Sequence, residues 1–215
     1  MSEKLLQRLQ DKTLTKSQLL EQLKRDSGLL QEVLVGLESQ NASVRYGCGK
    51  VLMDYSGEQP EKLYPHMDLF VRLLDSRYRI LVWNAMAVIA NLTRVDADGK
   101  FDRIFEKFYG FLGDEYMVTV ASVVGHSVKI AQAKPYLTDA IVSRLLSVEN
   151  IPINPHLTEE CRRVIIEKTI SSLNVFFDRV TQKELVLAFV RRHTGSPRRT
   201  LQDEARTFVG KWTQS

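Results

Sequence analysis

Two stretches, read one above the other, decide the fold: GLESQNASVRYGCGKVLMDYS, residues 36–56, and LLDSRYRILVWNAMAVIANLT, residues 73–93. At an offset of 37, which carries Asp54 to Asn91, Leu37 meets Leu74, Glu38 meets Asp75, Val44 meets Leu81, Cys48 meets Ala85 and Leu52 meets Ile89. Apolar meets apolar and acid meets acid, as in an internal repeat. A further step of 36, carrying Asn91 to Ser127, takes Val82 to Val118, Ala85 to Ala121, Val88 to Val124 and Leu92 to Val128. Three related units are what a stacked array needs to bury its faces. Each unit reads as two helices. The first ends in Leu-Leu or Phe-Leu with an acid close behind, and the second carries small residues in its middle.

Extended along the chain, the pattern predicts about six antiparallel helical hairpins. They pair 3–10 with 16–25, 29–37 with 43–55, 63–74 with 80–93, 101–112 with 116–132, 137–147 with 158–177 and 181–192 with 200–212. The expectation is one repeat domain over residues 1–215, clearest over 29–132, with a basic hairpin at 181–215. The 6 prolines and 11 glycines are few for such a length, which favours an all-α chain over a many-turned β-fold. Pro60, Pro135, Pro197 and the run Asp96-Ala-Asp98-Gly99 stand at joints. Thr181-Gln-Lys-Glu184 and Thr200-Leu-Gln-Asp203 read as capping boxes, and Glu159 and Glu160 follow Thr158 where acids favour a helix start.

Composition narrows the class. With 44% hydrophobic and 26% charged residues, the 215-residue chain can bury a continuous core and is neither disordered nor a disulfide scaffold. Cys48 and Cys161 lie far apart within helical patterns, which fits a reducing compartment. The start, MSEKLLQRLQDKT, has no apolar run, and no stretch approaches the roughly 18 apolar residues of a spanning helix. The expected location is the cytoplasm, with no membrane association.

These residues resemble a known class. The first-helix endings, the acid behind them and Val44-Arg45 before a small-residue helix look like HEAT repeats. Ala85-Met-Ala-Val-Ile-Ala-Asn91-Leu-Thr looks like the last helix of an armadillo repeat. The resemblance implies an all-α, right-handed α-α superhelix, or solenoid, with second helices lining a concave face that binds a partner. It also implies that Asn91 hydrogen-bonds the backbone of an extended peptide, a job suited to an amide with donors and an acceptor. The HEAT pattern's basic residue survives at Arg45 but is replaced by Val82 and Val118 in the next units.

The repeat alignment places Asp54, Asn91 and Ser127 in one column of successive second helices, an expected polar row, with Asn84 one heptad before Asn91 on the same side. Trp83, with Tyr46 at its equivalent, would supply a neighbouring apolar pocket. The competing reading puts Trp83 in the core against Ala87 and Ala90, and Asn91 at a solvated helix end. Phe101, Phe105, Phe108 and Leu112 recur at helical spacing and read as core.

Charge offers a second candidate. From residue 181 onward seven basic side chains face three acidic ones, whereas the first 180 residues carry 23 of each sign. Arg191, Arg192, Arg198 and Arg199 bracket a loop that could grip phosphates or an acidic protein, or simply cap the last repeat. The loop Val148 to Leu157, stiffened by Pro152 and Pro155, is the longest break within a hairpin.

Catalytic patterns are sparse. His66, His126, His156 and His193 fall in different units, with no HExxH and no cysteine pair at metal spacing. His156 and Cys161 are two ligand types without a third. Asp96-Ala-Asp98-Gly99 fails as a calcium loop, because Arg94 and Phe105 would stand where carboxylates are required. A glycosylase for alkylated purines, using Trp83, Trp212 and Asp54, is the one enzymatic alternative, since some HEAT-like solenoids act so. The leading expectation is a non-enzymatic scaffold binding a protein or peptide segment, with no cofactor. Nucleic-acid or polyanion binding through the arginines is the alternative, and the oligomeric state stays open.

Overall fold

The computed structural model describes residues 2–213, with side chains from residue 5 onward. The chain divides into two compact units, residues 1–102 and 103–215. Unit 1 holds α1 (Ser2–Gln10), α2 (Lys16–Arg25), α3 (Leu30–Val35), α4 (Ala42–Glu58), α5 (Pro60–Leu63), α6 (Met67–Leu73) and α7 (Arg79–Leu92). Helix α8 (Lys100–Gly110) contains the boundary. Unit 2 continues with α9 (Met117–Ala133), α10 (Thr138–Leu146), α11 (Glu159–Phe176), α12 (Lys183–Arg191) and α13 (Arg199–Trp212). In unit 1 the second helices α2, α4 and α7 pack side by side; in unit 2, α9, α11 and α13 do the same.

The core follows the apolar spacing. Leu19 and Leu23 of α2, Leu52 and Tyr55 of α4, and Leu81, Ala85 and Ile89 of α7 are all buried. Each large aliphatic among them contributes roughly 1.5–3 kcal/mol through burial. Small residues set the approach of the helices. A Cβ on Gly36 would stand 2.3 Å from the Cys48 Sγ, so only glycine lets the end of the first helix seat on α4. Burial pushes the Cys48 thiol up to about 12, which leaves it protonated and unreactive. The predicted helix 63–74 is interrupted: α5 passes through a single tight turn, Tyr64–His66, before α6 begins. Pro65 lies in that turn and has no N–H to continue an α-helical ladder.

Capping separates what forms from what was expected. Asn41 Oδ1 accepts from Ser43 N and Val44 N to start α4, and Thr158 accepts from Cys161 N to start α11. Thr15 and Gln18 make a reciprocal capping box at α2. The boxes expected at Thr181 and Thr200 do not form. Thr181 gives both its N–H and its hydroxyl to Asp139, and Gln182 takes the cap position. Thr200 lies inside α13, behind the N-cap Arg198, and donates to Glu167 Oε2 at 2.7 Å. In both cases an acid on a neighbouring element outcompetes the local amide, because hydrogen bonds to carboxylates are the stronger ones.

The same caps correct the repeat spacing. The second helices that follow α2 have their N-caps at Asn41, Tyr78, Tyr116, Thr158 and Arg198, so the steps are 37, 38, 42 and 40 residues. The step after the first is therefore 38, not 36. In this register Ala85 matches Val123, Ile89 matches Ser127 and Leu92 matches Ile130, and all six are buried. A step of 36 instead equates buried Val82 with Val118, which is half exposed.

Connections are folded rather than slack. Asp96 accepts from Lys100 N and Phe101 N to cap α8 and from the Tyr64 hydroxyl at 2.7 Å, while Gly99 takes a left-handed φ of 62°. In the proline loop, Asn154 and Leu157 exchange backbone hydrogen bonds, and His156 stacks on Tyr116 with centroids 4.7 Å apart.

Candidate interaction surfaces

In unit 1 the two asparagines run along the seam between α4 and α7. Asn91 is only 7% exposed and donates to Ser56 Oγ at 2.9 Å and to the Met53 carbonyl at 3.5 Å. One heptad earlier, Asn84 lies over Gly49, its Nδ2 2.6 Å from where a Cβ would stand. That Nδ2 is buried with no hydrogen-bond partner. The spacing of seven between Asn84 and Asn91 is matched by the seven between Gly49 and Ser56, so two amides sit over two small residues on the facing helix.

The expected polar row is corrected accordingly. Ser127 is fully buried, accepting from the Tyr109 hydroxyl at 3.1 Å and donating to the Val123 carbonyl. It occupies the core position that the 38-residue step assigns to it. Asn91 is an internal strut. Asp54 remains at the surface, paired with Lys50 one turn away on α4, and Trp83 is half-buried on α7.

Arg45 shows what the surviving HEAT-like basic residue does. Its guanidinium is buried, donates to the Ser39 and Gln40 carbonyls, and lies 3.7 Å from the centroid of Tyr78 and 4.8 Å from that of Tyr46. It therefore ties its own turn to the next one through cation–π contact, in place of an acid–base ladder.

The C-terminal arginines divide into two kinds. Arg192 makes a forked contact with Glu149, at 3.1 and 2.5 Å, and His193 Nε2 lies 2.8 Å from the same carboxylate. Burial pulls the His193 pKa down, against the opposing effect of Glu149. Arg198 bridges Glu160 and Glu167. Arg191 and Arg199 reach only distant acids, at 3.7 Å and 3.8 Å, and the Arg199 side chain is 91% exposed. A cavity of about 430 Å³ beside this network is lined by Arg162, Arg163, Arg192 and His193 together with Glu149 and Glu159. The basic end seen in sequence is thus an alternation of signs in which Arg192 and Arg198 are already satisfied.

On the second-helix face of unit 2, His126 stands with two lysines, Lys129 and Lys168, that the sequence did not single out. His126 of α9 is largely desolvated and lies near Lys129 and Lys168; burial first, then the two ammonium groups, hold its imidazole at about 4. Lys168 of α11 crosses α9 at Gly125, where an added Cβ would meet its Cε at 2.8 Å and its Nζ at 3.1 Å. The 38-residue step was the available signal, since it places Lys129 at the position of Asn91. Further along, Asn174 Oδ1 accepts from Lys211 Nζ and Trp212 Nε1, and Trp212 packs on Phe177 and Phe208. That packing ties the end of α13 to the turn Phe177–Arg179 that follows α11.

Among the described residues, no group of three or more His, Cys, Asp or Glu is placed to hold a metal ion, and no helix is long and apolar enough to cross a membrane. Cys161 is partly exposed, and its Sγ accepts from the Thr158 hydroxyl.

No protein-family model and no curated protein matches the chain. Among solved structures, it is similar to a designed armadillo repeat protein at 17% identity, over 95% of this chain and 90% of that one, with a TM-score of 0.59. It is also similar to an engineered protein from the Northeast Structural Genomics Consortium at 15% identity, over 100% of this chain and 92% of that one, with a TM-score of 0.58. At such identities the likeness is one of fold, and the fold is an all-α solenoid of the armadillo type.

Proposed function

We propose that the chain is a non-enzymatic interaction module whose second helices hold a segment of a partner protein, with Trp83 as apolar anchor and Asp54, Lys50 and Asn84 beside it. The observation that carries this reading is the side-by-side packing of α4 and α7, with Trp83 half-buried on α7 and the Lys50–Asp54 ion pair at the surface of α4. Such a surface offers apolar area and oriented polar groups together, as protein-binding hot spots do. Asn91 serves it from within, by holding α7 on α4 through Ser56. The two free thiols fit a cytoplasmic location.

Selection of displayed random peptides on the immobilised chain tests the reading. Selected peptides should bind at least about tenfold more weakly to Trp83→Ala and Asp54→Arg, a loss of about 1.4 kcal/mol, and equally well to Arg191→Ala/Arg199→Ala. Binders indifferent to both surface changes in unit 1 would overturn it. A second reading, polyanion binding, is favoured by the exposure of Arg191 and Arg199. It requires affinity for duplex DNA that collapses as salt rises, and loss of that affinity in the double arginine variant.

A further inference from the structure

We propose that the cavity between the start of α11 and the connection 192–199 is a binding site for a phosphate monoester, gripped by Arg162, Arg163 and Arg192 and seated on Ile166, Leu201 and Pro197. It involves no residue of the Trp83 surface, so it goes beyond the interaction-module reading and does not rest on it.

The cavity, of about 430 Å³, brings three guanidinium groups together against the carboxylates of Glu149 and Glu159. Small-ligand sites run from roughly 300 to 1,000 Å³. An arginine carries several N–H donors in a fixed fork, and here the neighbouring acceptors take only part of them. Arg162 gives Nη1 to the Ile151 carbonyl and Nη2 to Glu159. Arg163 gives Nη1 to Glu160 and lies 3.6 Å from Glu159, while Arg192 gives Nε and Nη2 to Glu149. Nε of Arg162 and of Arg163, and Nη1 of Arg192, meet no acceptor among the described residues. The acids therefore hold the guanidinium groups in position without using them up. Ser196, whose hydroxyl accepts from Arg198 N, lines the same cavity and keeps its own proton to give.

Phosphate fits these groups in charge and in geometry. Its terminal oxygens accept several charge-assisted hydrogen bonds at once, and the planar fork of arginine matches them. A carboxylate, with two oxygens and one charge, would engage fewer of the three arginines. Inorganic phosphate would leave Ile166, Leu201 and Pro197 uncovered, whereas the organic group of an ester buries apolar surface against them. A free small molecule and a phosphorylated side chain of a partner share this chemistry.

Calorimetric titration of the full chain at low salt tests the site. The probes are phenyl phosphate, inorganic phosphate, benzyl alcohol and a Gly/Ser peptide carrying one phosphoserine; the imidazole resonances of His193, which also lines the cavity, are followed by NMR. Phenyl phosphate should bind at least about tenfold more tightly than inorganic phosphate and shift His193, and benzyl alcohol should not bind. Arg163→Gln/Arg192→Gln should weaken phenyl phosphate by about tenfold or more. Glu159→Gln keeps an oxygen for Arg162 and removes a like charge, so it should bind phenyl phosphate several-fold more tightly; this gain decides the matter even where the double variant unfolds. Arg191→Ala/Arg199→Ala should leave the affinity unchanged.

Equal affinity for phenyl phosphate and inorganic phosphate, no binding of either, or binding indifferent to Glu159→Gln would overturn the proposal. Loss of binding in Arg191→Ala/Arg199→Ala would overturn it in favour of the surface arginines. A phosphopeptide that binds more tightly than phenyl phosphate, with the same response to the variants, would support the site and assign its ligand to a partner protein; the reverse order would support it and assign the ligand to a free small molecule. The Trp83 surface keeps its own test in every case.

Discussion

Asn91 shows how one side chain can be located by sequence and still be given the wrong task. Its place on the second helix was readable because the 37-residue offset is cap to cap, Asn41 to Tyr78. Its role was not, because an amide suited to a peptide backbone is equally suited to a hydroxyl on the next helix, and no local pattern reveals that Ser56 stands opposite. Ser127 was misplaced for a different reason: a run of valines in α9 fits two registers almost equally, and only the cap at Tyr116 selects one. Removing Asn91 takes away the donor that the Ser56 hydroxyl, itself donating to the Met53 carbonyl, accepts from. Asn91→Ala should cost about 1–3 kcal/mol, measured by urea denaturation. In a cycle with Ser56→Ala the two losses should fall short of additivity by about 0.5–1.5 kcal/mol; strictly additive losses would mean that the bond does not contribute.

At the scale of elements, helices were the most legible part of the chain and their contacts the least. The apolar period and joint prolines placed the hairpins, since they depend on residues close in sequence. The failed capping boxes at Thr181 and Thr200, and the lysine-flanked seam of α9 and α11, depend on acids and bases some forty residues away. That seam carries a pH signature. The His126 imidazole of α9, largely desolvated and acted on by the Lys129 and Lys168 charges, is held at about 4 against an ordinary 6.5. Between those values the unfolded chain binds a proton that the folded chain refuses, so stability falls as pH falls from about 6.5 to about 4. The loss should approach 3 kcal/mol at about 1.4 kcal/mol per pH unit. Denaturant midpoints measured across this range should show the fall in the wild type and a flatter profile in His126→Gln. Equal slopes in the two proteins would show that the ring is not desolvated.

For the whole molecule, the surplus of basic residues after position 180 was readable by counting, but its neutralisation was not. Glu149, Glu160 and Glu167 arrive from earlier elements to hold Arg192 and Arg198, so the charges bind the last hairpin to the elements before it. Partly exposed ion pairs contribute about 0–1 kcal/mol each. Glu149→Gln/Glu167→Gln should accordingly speed amide hydrogen exchange several-fold in the connection 192–199 and the first turn of α13, and leave unit 1 unchanged. Exchange unaltered in that connection would show that the arginines do not hold it.

The uneven steps between second-helix caps have a consequence for how such a chain can change. The longest step, 42 residues from Tyr116 to Thr158, spans the proline loop, yet α11 keeps its buried face against α9. Surplus length has been absorbed where Asn154 and Leu157 pinch the loop shut and Pro152 and Ile153 point outward, without shifting the seam. Helix phase and chain length are thus inherited separately: the connections are free to grow, and only the caps must stay in step with the faces they start.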